Sequence, residues 1–306
     1  MQPFFLPIEQ ADYAILHAVQ AGASPLLTIM MLAITFLGNP VFWVGVAALL
    51  YWRGQENKGF FMMNLIVFVS AAAGVLKFAF ARPRPSPEEF KVMASDGYGL
   101  DSFPSGHATM IAAAFAYCYS RIERHWKILF GIAVLLVAYS RLYLGMHYPT
   151  DVLAGIVAGL VIGKLNLVAR NKLFHKNFKP SKLEDELALI VLVFAAIAAV
   201  FFLRSIPMAG LFIGFYAGFF LFKEMGLRQS ILLRKFLALK YIIGFVPLLA
   251  FAAIGEGIVE TGLVLTATQA FIMYVLGGFW ISWLWPAIFE KAFFASAKKP
   301  WENQNR

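Results

Sequence analysis

Three short blocks of the sequence bring together residue types that can move a phosphoryl group. The first runs from Lys77 through Arg82, Pro83 and Arg84 to Pro85, the second is Phe103-Pro104-Ser105-Gly106-His107, and the third runs from Ser140-Arg141 to His147 and Asp151. Lys77 stands near the end of an apolar run, and Arg84 follows two helical turns later, where Pro83 and Pro85 stop the helix. Both long side chains can therefore point the same way. Alone, they could equally snorkel to lipid headgroups. Ser105 suits a helix N-cap and Gly106 leaves the backbone open to a ligand. His107 then stands in a first turn whose N–H groups attract phosphate. The plainer alternative is an ordinary cap followed by an interfacial histidine. His147 and Asp151 are spaced i, i+4 at the head of a helix opened by Pro149. Asp151 can accept a hydrogen bond from one ring nitrogen, leaving the other free to attack or to take a proton. It could instead be only a first-turn carboxylate on the helix dipole. Taken together, two imidazoles, one lysine, two arginines and one carboxylate are what phosphoryl transfer needs. Cations and N–H groups meet the equatorial oxygens, one histidine attacks phosphorus and the other protonates the leaving oxygen.

These residues must be held by helices in a membrane. The chain has 306 residues, 60% hydrophobic and only 14% charged, with 31 Phe and 24 Gly. That excludes a disordered chain, a collagen and a disulfide scaffold, and leaves too few charges to cover a soluble globule. Nine apolar segments read as spans, at 25–52, 60–80, 105–120, 128–146, 149–168, 186–203, 208–222, 236–254 and 262–285; the third and seventh are short and need tilt, an extended end or local thinning of the bilayer. Gly155, Gly159 and Gly163 form an i, i+4, i+8 stripe that reads as close helix packing. Residues 1–24 carry Glu9 and Asp12 without a basic start, so they do not read as a signal peptide. Ile8, Ala11, Ile15, Ala18 and Val19 fall at helical spacing and suggest a short interfacial helix. Lys179-Pro180-Ser181 marks a break, giving an organisation of 1–24 (an N-terminal outer-side segment), 25–180 (a catalytic core) and 181–306 (a four-span bundle and tail).

The net charge of +9 is distributed in short runs between apolar segments. The clusters at Arg121 to Lys127, Arg170 to Lys182 and Lys223 to Lys235 fit the positive-inside rule, with the N-terminus outside and the C-terminus inside. A nucleic-acid partner is not expected, and contact with anionic membrane lipids is. Lys77, Arg82, Arg84, Lys91, Arg141 and His147 fall on the outer side against that rule. Either a helix is miscounted or these groups hold an anion. The single cysteine, Cys118, excludes an internal disulfide and a thiolate metal cluster, and reads as a packing residue. Residues 86–101 link the first two blocks and read as a cover near the site, or simply as a solvated loop.

The blocks match K-x6-RP, PSGH and SR-x5-H-x3-D in order, and across roughly residues 60–165 the chain closely resembles the type 2 phosphatidic acid phosphatase (PAP2) superfamily. The resemblance implies an all-α, polytopic transmembrane helical bundle with a PAP2/chloroperoxidase-like catalytic core. It implies His147 as a nucleophile that becomes phosphohistidine, His107 as general acid, and Asp151 orienting His147. Lys77, Arg84, Ser105, Gly106 and Arg141 would bind phosphate, with no metal and no cofactor. It also implies a membrane-integral phosphatase with a lipid phosphate or polyprenyl diphosphate substrate, working at the outer face of a bacterial inner membrane. Phe78, Phe80 and Phe103 could line an acyl or isoprenoid path or simply face lipid. The nine-span layout resembles glucose-6-phosphatase, so a sugar phosphate remains an alternative. A lipid phosphotransferase and a non-enzymatic membrane protein are others. The spacing says nothing about oligomeric state.

Overall fold

The computed structural model of the chain describes residues 3–94, 101–173, 206–227, 229, 234–259 and 264–294. The apolar segment at 186–203, the break at 179–181 and residues 95–100 of the expected cover lie outside them. The regular elements among the described residues are helical, with one isolated antiparallel bridge between Pro83 and Asp101. In chain order they are α1 (Leu6–Gln20), α2 (Pro25–Thr35), α3 (Pro40–Trp52), α4 (Glu56–Phe80), α5 (Gly106–Cys118), α6 (Arg124–Tyr143), α7 (Pro149–Leu173), α8 (Ile206–Glu224), α9 (Arg234–Val259), α10 (Val264–Phe279) and α11 (Trp285–Phe294). Two compact units divide the chain: residues 1–44 with 61–180, and residues 45–60 with 181–306.

The first unit is organised around α5. Ala108, Met110, Ile111, Ala112, Ala113 and Ala114 of this helix are all buried. Its alanine-rich surface lets α7 approach very closely. A Cβ built on Gly155 would come within 2.7 Å of the Ser105 carbonyl oxygen, one on Gly159 within 2.3 Å of that of Thr109, and one on Gly163 within 2.2 Å of that of Ala113. The i, i+4, i+8 stripe is thus a backbone-to-backbone seam. Such seams hold helices together in lipid, where water expulsion between apolar faces offers little. The opposite face of α7 exposes Leu153, Val157, Val161 and Leu165, and α6 exposes Ile128, Leu129, Ile132 and Leu135. Large apolar surfaces of this extent mark contact with lipid or partner rather than water.

Two parts of the first unit differ from the sequence expectation. The segment 25–52 is two helices, because Gly38-Asn39-Pro40 interrupts it: Pro40 brings no N–H, and the Asn39 side chain accepts the Val41 N–H at 2.8 Å to start α3. Helix α1 buries two polar residues beside one leucine and exposes several of its apolar positions. Asp12, Leu16 and Gln20 are buried while Leu6 and Ile15 are exposed. Gln20 fastens this helix to the core, donating to the carbonyls of Lys91 at 2.8 Å and Tyr143 at 3.0 Å and accepting the Lys91 N–H at 3.0 Å. Gly145, at φ +70°, lies beneath that clamp, where a Cβ would come within 2.3 Å of the Lys91 carbonyl oxygen.

The second unit repeats the small-residue device. Gly214 of α8 faces the Val275 carbonyl oxygen of α10, and Gly278 of α10 faces that of Leu211. A π-turn, Trp280–Leu284, separates α10 from α11. Its Ile281 and Ser282 carbonyls accept from Trp52 Nε1 at 2.8 Å and Tyr51 Oη at 3.0 Å. By length and composition four described helical stretches can cross a membrane: Glu56–Phe80, Arg124–Tyr143, Pro149–Lys172 and Thr268–Ala292. The pair Leu6–Gln20 and Pro25–Gly38, bent by 118°, makes a fifth if it counts as one span.

The seam gives a stability prediction. Gly159→Val should cost about 1–3 kcal/mol or more through overpacking. Gly131→Ala, at a helical glycine with nothing within 4 Å, should be neutral or stabilising by up to about 1 kcal/mol. Thermal unfolding of the detergent-purified protein checks both.

Candidate active site

Helix α4 delivers the first block. Its last turn carries Lys77, and the proline pair then turns the chain out of the helix. Lys77 is half-buried and its Nζ donates to the Asp101 carbonyl at 2.6 Å, while Ser102 N–H donates to the Arg82 carbonyl at 2.6 Å. The strand-like segment after α4 is thereby paired with the approach to α5, bringing the first two blocks side by side.

Ser105 occupies the N-cap position of α5, with extended backbone (φ −70°, ψ 112°), but its hydroxyl does not cap the helix. Its Oγ is buried without a hydrogen-bond partner. Unlike an ordinary cap, it is a polar group left for something else, and one phosphate oxygen would satisfy it. The Ser105 N–H instead donates to the Asp151 carbonyl at 3.0 Å, which ties the start of α5 to the first turn of α7. His107, in the first turn of α5, is 8% exposed, and Gly38 packs against it so closely that a Cβ there would come within 2.9 Å of the His107 Cβ.

The third block is buried throughout. Arg141, in the last turn of α6, is fully enclosed and Nη1 donates to Thr35 Oγ1 at 3.0 Å. His147 lies in the connection between α6 and α7 and is 1% exposed. Its Nδ1 is 3.9 Å from Asp151 Oδ2, beyond direct hydrogen bonding. The Ser102 hydroxyl sits between them, donating to Asp151 Oδ2 at 2.5 Å and standing 3.3 Å from His147 Nδ1. With its one proton committed to the carboxylate, Ser102 Oγ can only accept from His147. This assigns the proton to Nδ1 and leaves Nε2 as the bare nucleophilic nitrogen. The link between Asp151 and His147 is therefore relayed by a hydroxyl rather than direct.

The Asp151 carboxylate is met by donors. Oδ2 also accepts the Tyr148 N–H at 2.9 Å, and Oδ1 accepts from Arg82 Nη1 at 2.6 Å. Around His147 the balance runs the other way. Burial first, then the positive charges of Arg141, Arg84, Lys77 and His107, hold its imidazole well below the ordinary histidine range. The ring is neutral at neutral pH, the state a nucleophile requires. The hydrogen bonds from Lys77 to the Asp101 carbonyl, from Ser102 to Asp151 and from Ser105 N–H to the Asp151 carbonyl bring the blocks together at the ends of α4, α5 and α7.

Three participants lie outside the motif positions: Ser102, Arg82 and Asp12. Asp12 and Arg82 are 1% and 4% exposed. The signal available for them is charge inside an apolar context, which is costly in a membrane and marks a functional partner. Asp12 is an acid within the helix read as interfacial. Arg82 is a second basic residue beside Arg84 on the side of the membrane where basic residues are unexpected. Ser102 carries no comparable signal.

Residues 58–175 match the family model for the PAP2 superfamily, and residues 206–298 match that for the PAP2 superfamily phosphatase transmembrane extension. Phosphatidylglycerophosphatase B of Bacillus subtilis is 30% identical over 169 residues, which cover 51% of this chain and 81% of that protein. Lipid A 1-phosphatase of Rhizobium etli is 31% identical over 149 residues, 41% of this chain and 64% of that protein. The chain spans less of some other curated relatives, 43% and 46% of two of them. The crystal structure of a transmembrane PAP2 type phosphatidylglycerolphosphate phosphatase from Bacillus subtilis aligns with a TM-score of 0.48 at 26% identity, covering 56% of this chain and 89% of that one. With three ordered motifs, the family-model match and a relative 30% identical that is covered over 81% of its length, the chain belongs to the PAP2 superfamily.

Proposed function

We propose that this protein is a membrane-integral phosphatase that hydrolyses a lipid phosphate or polyprenyl diphosphate at the outer membrane face, through a phosphohistidine and without a metal ion. The observation that carries the reading is the joining of the motif blocks around a buried His147: Ser102 Oγ lies 3.3 Å from its Nδ1 and bonds Asp151, the Ser105 N–H bonds the Asp151 carbonyl at 3.0 Å, and Lys77 bonds the Asp101 carbonyl beside Ser102. His147 Nε2 attacks phosphorus, forming the N–P bond as the P–O bond to the lipid breaks. His107 passes its proton to the departing oxygen. Lys77, Arg84, Arg141 and Ser105 Oγ meet the phosphoryl oxygens, supplying the positive charge that a metal supplies elsewhere. The imidazolium that forms is stabilised by Asp151 through the Ser102 relay. Water then attacks phosphorus, His107 takes the water's proton, the N–P bond breaks and inorganic phosphate departs.

Two kinds of support favour a lipid-borne substrate. The helices that carry the site expose broad apolar faces, so a lipid can present its headgroup without leaving the membrane. The relatives above are named for phosphatidylglycerophosphate and lipid A. The outer-face assignment follows from the positive-inside rule, with the site's own basic residues as the exception it must explain.

Phosphate release from undecaprenyl diphosphate, phosphatidate, phosphatidylglycerophosphate, lipid A and glucose 6-phosphate should favour a lipid, be unaffected by EDTA, and fall at least about 1,000-fold in His147→Ala. Turnover retained by His147→Ala, or preference for glucose 6-phosphate, would refute the nucleophile or the substrate class respectively. The pH profile of kcat/KM tests the electrostatics. Because the attacking form is deprotonated and its pKa is lowered, the acidic limb should lie below the ordinary histidine value of about 6.5, and Arg84→Gln should move it upward. Ser102→Ala should lower kcat by about 10–100-fold with KM little changed, as loss of an orienting partner does.

A further inference from the structure

Behind Asp151 lies a buried charge network that the phosphatase chemistry above does not use. Arg82 donates from Nη1 to Asp151 Oδ1 at 2.6 Å and to Thr150 Oγ1 at 2.7 Å, and from Nη2 to Asp12 Oδ2 at 2.6 Å. Its guanidinium lies 4.2 Å from the ring centroids of both Phe5 and Tyr148, between the two rings. Asp12 in turn accepts the Thr150 N–H at 3.0 Å on Oδ1 and the Thr150 hydroxyl at 2.6 Å on Oδ2. Every contact to Asp12 comes from a donor, which is the pattern of an ionised carboxylate.

The arrangement does two things for the nucleophile. It caps α7, whose opening residues Tyr148 and Pro149 have no side chain able to satisfy the first-turn N–H groups. The cap comes from α1, far away in sequence. It also surrounds one guanidinium with two carboxylates, so the cluster carries a net negative charge facing the imidazole that becomes positive during attack. Replacing one member leaves its partner's charge buried and unbalanced.

We propose that Asp12 and Arg82 are positioning residues for the nucleophile: Arg82 fixes the carboxylate of Asp151 against Ser102 and His147, and Asp12 holds Arg82 and the first turn of α7. Helix α1 is thereby part of the catalytic apparatus rather than a surface anchor. This rests on the phosphohistidine reading and deepens it. Neither residue touches the phosphoryl group, so their effect is on rate and proton affinity rather than on phosphate binding.

The charged and titratable groups facing His147 are Asp151 from α7, Arg141 from α6, Lys77 from α4, Arg84 from the segment after it, and His107 from α5; Arg82 and Asp12 lie one step behind Asp151. Removing the negative charge of Asp12 makes the surroundings more positive, so the proton leaves His147 more readily. Removing the positive charge of Arg82 does the reverse. Asp12→Asn and Arg82→Gln should therefore shift the acidic limb of kcat/KM in opposite directions, down for Asp12→Asn and up for Arg82→Gln.

The test uses the purified full chain with phosphatidylglycerophosphate in mixed micelles, and orthovanadate as a competitive phosphate mimic. Each variant should lose about 10–100-fold in kcat, keep KM and vanadate inhibition within about 2-fold of wild type, and show the opposed pH shifts. Arg82→Lys, which keeps the charge, should recover part of the rate and the wild-type limb. Wild-type kcat and pH profile in both variants, with His147→Ala inactive, would overturn this inference alone. Equal losses in kcat and vanadate binding without a pH shift would also overturn it, leaving a purely structural role. If Asp12→Asn fails to fold, Arg82→Gln against Arg82→Lys carries the same pH comparison, and coincident limbs in those two would overturn the proposal. An inactive wild type, or an active His147→Ala, would instead defeat the phosphohistidine reading beneath it.

Discussion

The distance between the two histidines is set by how closely α5 and α7 approach. His107 hangs from the first turn of one helix and His147 precedes the first turn of the other. The seam of Gly155, Gly159 and Gly163 against the Ser105, Thr109 and Ala113 carbonyls fixes that pair of helices along its length. The hydrogen bond from Ser105 N–H to the Asp151 carbonyl, at 3.0 Å, fixes it at the end where the chemistry is. In the mechanism proposed above, substrate binding, nucleophile orientation and proton donation all inherit their geometry from this contact. In a lipid environment such precision comes from packing and internal hydrogen bonds, since no water-driven compression is available.

Around the seam, the site is built by satisfying charge at short range. The cations that would meet phosphate are themselves placed by neutral groups: Lys77 by the Asp101 carbonyl and Arg141 by the Thr35 hydroxyl. Arg82, by contrast, is bonded to two carboxylates, so its charge is spent within the protein.

Much of this was legible beforehand. The motif residues were readable because each imposes a local demand: prolines that end α4, a serine and glycine at a helix start, a histidine and an aspartate one turn apart. The small-residue stripe was readable because its period is helical. The pieces that were not readable depend on residues brought together from afar. Asp12 meets Thr150 and Arg82 only after the chain folds. Ser102 enters the site because its backbone pairs with Arg82. The apolar run 25–52 looked continuous because hydropathy averages over the interruption at Gly38-Asn39-Pro40. The apolar positions of α1 pointed to its exposed side, while its function lies in the polar residues of the other.

The buried carboxylate of α1 has a consequence for how the protein is made. This helix emerges from the ribosome with a carboxylate whose counter-charge and hydroxyl donor come tens of residues later. Until Arg82, and later the head of α7, have been synthesised, Asp12 lacks the donors that surround it in the fold, which favours α1 waiting at the aqueous boundary over burial among the early helices. Docking of α1 would then be a late event in biogenesis, completed only once the head of α7 is in place to receive it.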